Sequence, residues 1–137
     1  MTETNRKSQK LLGECLCGSV SFVLSGPLRD IVSCYCSECR KTSGNFVSAT
    51  SVKQSQIHFI EQSGLAWFKN DLAIRGFCQL CGSNLFWKQQ PENGEVSVMA
   101  GCLEVETGLK VISHIFVADK SDFHEIAGHA RQYKKSG

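Results

Sequence analysis

The sequence predicts a mainly β fold: a single β-rich domain with short helical pieces. Three observations carry the β assignment. Apolar residues alternate at period two through most of the chain, turn residues punctuate those runs, and helical spacing is scarce. Val20-Ser21-Phe22-Val23-Leu24 follows Gly18 and stops before Gly26-Pro27, so it reads as a strand closed by turn residues. Phe46 to Val52, Gln56 to Glu61, Leu65 to Lys69, Leu85 to Lys88, Val96 to Ala100 and Val111 to Val117 read the same way. Glu92-Asn93-Gly94-Glu95 lies between two of these runs, and its Asn-Gly pair is a hairpin signal. Two short helices are expected. Ser37 to Ser43 has Ser37 as its cap and Gly44 as its stop, and Ser121 to Ala127 has Ser121 as its cap and Asp122 in its first turn. Trp67, Phe68, Phe77, Phe86 and Trp87 fall in strands and read as core before they read as a substrate wall.

A chain of 137 residues fits one domain, and 42% hydrophobic residues can build a core without disulfides. Composition divides it into a polar leader (1–12), a β-rich body (13–127) and a polar, basic tail (128–137) expected to fray. The leader holds both charge signs and no apolar run, so no secretory signal is read in it. No stretch is apolar for long enough to cross a bilayer, so no membrane partner is expected. A reducing, cytoplasmic compartment follows, where clustered cysteines are metal ligands or catalytic thiols before they are disulfides. The formal charge of +2 counts every cysteine as neutral, and seven thiolates around two divalent ions would reverse its sign. Lysines and arginines are scattered, adjacent only in the isolated pairs Arg6-Lys7, Arg40-Lys41 and Lys134-Lys135, which argues against nucleic acid. The oligomeric state is open.

Seven of the eight cysteines form three motifs: Cys15-Leu16-Cys17-Gly18, Cys34-Tyr35-Cys36-Ser37-Glu38-Cys39 and Cys78-Gln79-Leu80-Cys81-Gly82. Cys-x-x-Cys brings two thiolates to one ion, and a following glycine permits the left-handed turn such a knuckle needs. A disulfide within Cys-x-Cys would be badly strained. A closed tetrahedral site needs four ligands, and the two Cys-Gly knuckles, Cys15/Cys17 and Cys78/Cys81, are the natural set. Cys34, Cys36 and Cys39 remain, and three ligands with a fourth position open is the pattern of a reactive zinc. In the alternative, both sites are structural and one of His58, His114, His124 or His129 completes the second. None of the four has ligand spacing to the triad. Cys102 stands alone and receives no role. Arg40, Lys41 and Arg75 flank the motifs and could pair with carboxylates of a bound thiol such as glutathione, or only screen thiolate charge.

Together these residues resemble the glutathione-dependent formaldehyde-activating enzymes, a family grouped with centromere protein V. The resemblance rests on Gly13-Glu14-Cys15-Leu16-Cys17-Gly18-Ser19-Val20 and on Cys34-Tyr35-Cys36-Ser37-Glu38-Cys39-Arg40-Lys41 with Gly44. It continues through Arg75-Gly76-Phe77-Cys78-Gln79-Leu80-Cys81-Gly82-Ser83, Met99-Ala100-Gly101 and His114-Ile115-Phe116. It implies an Mss4-like β fold and two zinc ions, one structural at Cys15, Cys17, Cys78 and Cys81 and one catalytic at Cys34, Cys36 and Cys39. It also implies a carbon–sulfur lyase working in reverse, joining glutathione as co-substrate to formaldehyde to give S-hydroxymethylglutathione. Three thiolates make zinc a feeble Lewis acid, so turnover needs one labile ligand, and the resemblance points to Cys36. The expected partners are a small-molecule thiol and a small aldehyde. The competing expectation is a zinc-stabilised protein-binding module without catalysis.

Overall fold

The computed structural model describes residues 8–136. Eleven strands run in chain order: β1 (Lys10–Glu14), β2 (Ser21–Ser25), β3 (Ile31–Cys34), β4 (Val47–Lys53), β5 (Ile57–Glu61), β6 (Leu65–Lys69), β7 (Ala73–Cys78), β8 (Asn84–Gln89), β9 (Glu95–Met99), β10 (Val111–Ile115) and β11 (Arg131–Gln132). Among the described residues, one α-helix, α1 (Ser37–Ser43), joins β3 to β4. Strands β1-β2-β5 form a small sheet, and the rest form an eight-stranded sheet in the order β11-β10-β3-β4-β9-β8-β7-β6. Pairing is antiparallel except where β10 runs parallel to β3 and to β11.

Strand alternation gives the large sheet two distinct faces. In β9, Val96 and Val98 are buried while Ser97 and Met99 point the other way. The Val96/Val98 face joins Val52, Leu85 and Phe86 and packs on Phe22 and Leu24 of the small sheet. The rings of Phe22 and Phe86 meet there with centroids 5.0 Å apart. This layer between the sheets is the core. Cross-strand register then assembles the other face. Cys34 lies opposite Val47 and Ile115, Val32 opposite Ala49, Ala49 opposite Met99, Ser97 opposite Trp87, and Trp87 opposite Arg75.

The mainly β expectation holds, and several elements differ from their sequence reading. β7 has Ala73, Ile74, Arg75 and Gly76 all buried, so it shows no alternation to read. Gly76 is required there, since a Cβ would stand 2.8 Å from the Trp67 ring. Helix α1 begins one residue earlier than expected: Cys36 is the N-cap, its sulfur accepting from the Cys39 N–H, and Gly44 ends the helix at φ 97°. No helix forms over Ser121–Ala127, because Phe123 is 72% exposed and the segment has no apolar face to bury. β1 starts inside the predicted leader, whose residues 1–7 lie outside the described residues. The tail does not fray as expected. It adds β11 beside β10, and Phe116 and Val117 donate to the Lys135 and Tyr133 carbonyls. Of the strand aromatics read as core, Phe86 is buried, whereas Trp67 and Phe68 are 41% and 59% exposed.

Candidate functional site

The chain gathers its sulfurs in two places. Cys15 and Cys17 follow β1, while Cys78 ends β7 and Cys81 lies in the turn to β8. Their four Sγ atoms lie within 4.8 Å of one another. Cys17 Sγ stands 3.7 Å from both Cys15 Sγ and Cys78 Sγ. Four sulfurs on tetrahedral zinc at the usual bond length are separated by roughly 3.8 Å, so the donor set fits that ion. Both expected left-handed glycines are present, Gly18 at φ 84° and Gly82 at φ 82°. They turn each knuckle so that Val20 N–H points to Cys15 Sγ at 3.3 Å and Cys81 N–H to Cys78 Sγ at 3.4 Å. Cys15 and Cys78 belong to the buried core, with Cys81 packed against it.

Three further residues complete this centre. Ser19 Oγ lies 3.1 Å from both Cys17 Sγ and Cys78 Sγ. Ser83 Oγ lies 3.2 Å from Cys81 Sγ and accepts from Leu16 N–H, tying one knuckle to the other. The Ser83 hydroxyl and N–H draw the Cys81 thiol down to about 5, so it is ready to bind a cation as thiolate. Gly64 presses against the same point, where a Cβ would strike Ser19 Oγ and stand 3.0 Å from Cys78 Sγ. Sequence reasoning assigned none of these three a role. The signal for the serines was the repeat of Cys-Gly-Ser at 17–19 and 81–83; Gly64 carried none.

The second cluster is local. Cys34 closes β3, Cys36 caps α1, and Cys39 is one turn further on. Their sulfurs also lie within 4.8 Å of one another, with Cys36 Sγ 3.1 Å from Cys39 Sγ. The Cys34 and Cys39 thiols hydrogen-bond to Cys36 and draw it down to about 2. The same sharing of protons among the three sulfurs pushes Cys34 up to about 11 and raises Cys39 as well. Three soft sulfur donors suit zinc, and ion binding would replace this shared proton arrangement with three thiolates. Among the described residues, neither cluster includes a histidine. His114 instead accepts or donates at Nδ1 to the fully buried Tyr35 hydroxyl at 2.9 Å. Phe46 and His124 stack on the Tyr35 ring at 4.9 and 5.6 Å. Tyr35 thus turns away from Cys34 and Cys36 and braces the turn that carries them.

The triad opens on a cleft of about 600 Å³ between α1 and the outer face of the large sheet. None of the tetrad cysteines lines it. Glu38, in the first turn of α1, spans the cleft edge: its Oε1 accepts from Arg75 Nη1 at 2.7 Å and from Asn70 Nδ2 at 3.0 Å. Arg75 lines the cleft, already paired with Glu38. Arg40 and Lys41 lie in the last turn of α1 and do not line the cleft, whereas Arg29, with no role in the sequence reading, does. Cys102 donates to the Met99 carbonyl at 2.8 Å, and burial pushes its thiol up to about 12, leaving it inert.

The family model described as glutathione-dependent formaldehyde-activating enzyme matches residues 10–119. The chain belongs to that family. The match includes both sulfur clusters and every strand but β11. No curated protein shows a significant match to the chain. Among solved structures, it is similar to a Rhodobacter sphaeroides protein of known crystal structure, with 20% identity and a TM-score of 0.57. That likeness covers 90% of this chain and 99% of the other, and at such identity it is one of fold. Among the described residues, no helix is long and apolar enough to cross a membrane.

Proposed function

We propose that the protein joins a small-molecule thiol, glutathione among them, to formaldehyde or a related small aldehyde at the Cys34–Cys36–Cys39 triad. In the reaction, the thiol S–H bond breaks, a C–S bond forms to the carbonyl carbon, and the carbonyl oxygen takes up a proton. No electron carrier is needed. A zinc ion bound by the triad supplies positive charge that favours the thiolate form of an incoming thiol. The chain's own contribution is placement. Tyr35 and its aromatic neighbours fix the turn that aims Cys34 and Cys36, and the Glu38–Arg75 pair pins α1 over the sheet. The apolar wall of Val32, Ala49 and Met99 limits water around the reacting carbon. Cys36, exposed enough to yield and placed at the helix cap, is the ligand proposed to loosen during turnover.

One observation carries this reading. Three sulfurs face a cleft large enough for a small-molecule ligand, while the four-sulfur set, with Cys15 and Cys78 in the core and Cys17 at the surface, lines no part of that cleft. Cytoplasmic placement and two zinc ions per chain, one structural and one catalytic, belong to the same proposal. The test is exchange NMR, because the uncatalysed addition is already fast. Protein carrying zinc should accelerate hemithioacetal formation from formaldehyde and thiol above the buffer rate, and Cys36→Ser should return it to that rate. If no thiol tried is accelerated and none perturbs the triad, the reading fails and a zinc-stabilised binding module replaces it.

A further inference from the structure

The residues of the cleft constrain its occupant beyond its volume. Register places Val32, Ala49 and Met99 in one cross-strand row, beside the row that carries Trp87. Leu72 and Phe116 add apolar surface to the lining. The charged lining residues are two cations, Arg29 and Arg75, and two anions, Glu38 and Asp119. Arg75 is engaged with Glu38. Arg29 donates to the Ala49 and Asp30 carbonyls. The sequence-predicted cations Arg40 and Lys41 are outside the cleft. A tripeptide thiol with two carboxylates and an ammonium group would therefore lose water against a mainly apolar wall whose two cations are already engaged, with only scattered hydroxyl and amide groups such as Thr42, Asn84 and Ser97 to replace it. An apolar body would release water from that wall and from itself.

We propose that the thiol this cleft favours carries an apolar body, aryl or branched alkyl. Its sulfur goes to the triad and its body lies along Val32, Ala49, Met99 and Trp87. This rests on the thiol-addition reading of the triad and adds the class of thiol. Glutathione is then a poorer ligand of the same site.

The test uses full-length protein with zinc in the tetrad and cobalt in the triad, titrated separately with 2-phenylethanethiol and with glutathione. Cobalt absorption reports the sulfur, and saturation-transfer NMR reports whether the phenyl protons touch protein. The expected result is at least ~tenfold tighter binding of the phenyl thiol, from the apolar area it buries. The phenyl protons should also be saturated. Trp87→Leu and Val32→Thr should each narrow that preference several-fold without changing the cobalt spectrum of the thiol-free protein. Either variant suffices if the other fails to fold. Glutathione binding as tightly as the phenyl thiol, or a preference unchanged in the variants, overturns the inference and leaves thiol addition standing. Failure of both thiols to change the cobalt bands overturns the thiol-addition reading, and this inference with it.

Discussion

The tetrad and the triad differ first in where their ligands come from. Cys17 and Cys78 touch across 61 residues of chain, whereas Cys34, Cys36 and Cys39 share one turn. An ion in the tetrad needs the two sheets already assembled, so its binding energy is folding energy. An ion in the triad can find the same three sulfurs in an unfolded chain, and binding to both states contributes little to stability. The difference teaches that, on the proposed function, ligand count alone would not separate a structural metal from a reactive one. Sequence separation and the surface each cluster faces would.

The largest effect that could break this comparison is loss of the fold. Cys78→Ser should give an insoluble or unfolded protein, seen as loss of cooperative melting by circular dichroism. Cys36→Ser should melt cooperatively, with a Tm close to that of the parent protein. If the two variants are equally damaged, the division is wrong. Next in size is metal content and activity: Cys36→Ser and Cys39→Ser should carry close to one zinc by elemental analysis and show no thiol-addition rate above buffer.

A third measurement sharpens the contrast within the triad. A chelator dose that empties only the triad should leave Cys36 as the first residue alkylated by iodoacetamide, read by peptide mass mapping. With its thiol drawn down to about 2 by Cys34 and Cys39, Cys36 is thiolate throughout pH 5 to 8. Its alkylation rate should stay flat over that range. Cys34, pushed up to about 11, and Cys102, at about 12, stay protonated at these pH values and should react slowly. A rate for Cys36 that climbs tenfold per pH unit would contradict the shared-proton arrangement. The smallest effect is at the cleft edge. Arg75→Met removes one of two hydrogen-bond donors to Glu38 and should cost about 1–3 kcal/mol in chemical denaturation, with both metals retained. Cobalt bands of the triad that stay fixed in this variant while thiol affinity falls would locate the effect in α1 placement.

The parts of this architecture legible in the sequence were those with a local signature. Alternation in β2 and β9 marked half-buried strands, Asn93-Gly94 marked a hairpin, and Cys-Gly marked the knuckles by their left-handed glycines. β7 was missed because a strand buried on both faces does not alternate, and β11 because it pairs through backbone groups that side-chain composition does not report. The false helix at Ser121–Ala127 had a cap signal without the apolar face that helices of proteins need. Arg29 and the cleft wall were illegible for another reason. They become neighbours only through register between strands distant in sequence, as Ala49 meets Met99 and Trp87 meets Ser97.

β11 gives the molecule an order of completion in time. Both sulfur sets, and every strand through β10, precede it in the direction of synthesis. Yet Ser136, just beyond β11, lines the cleft, and the residues between them anchor Phe116 and Val117 beside it. A nascent chain on the ribosome can thus acquire its metal ions before the cleft is whole. On the proposed function, zinc supply would act on the growing chain, and recognition of a small molecule would wait for the β11 segment to dock.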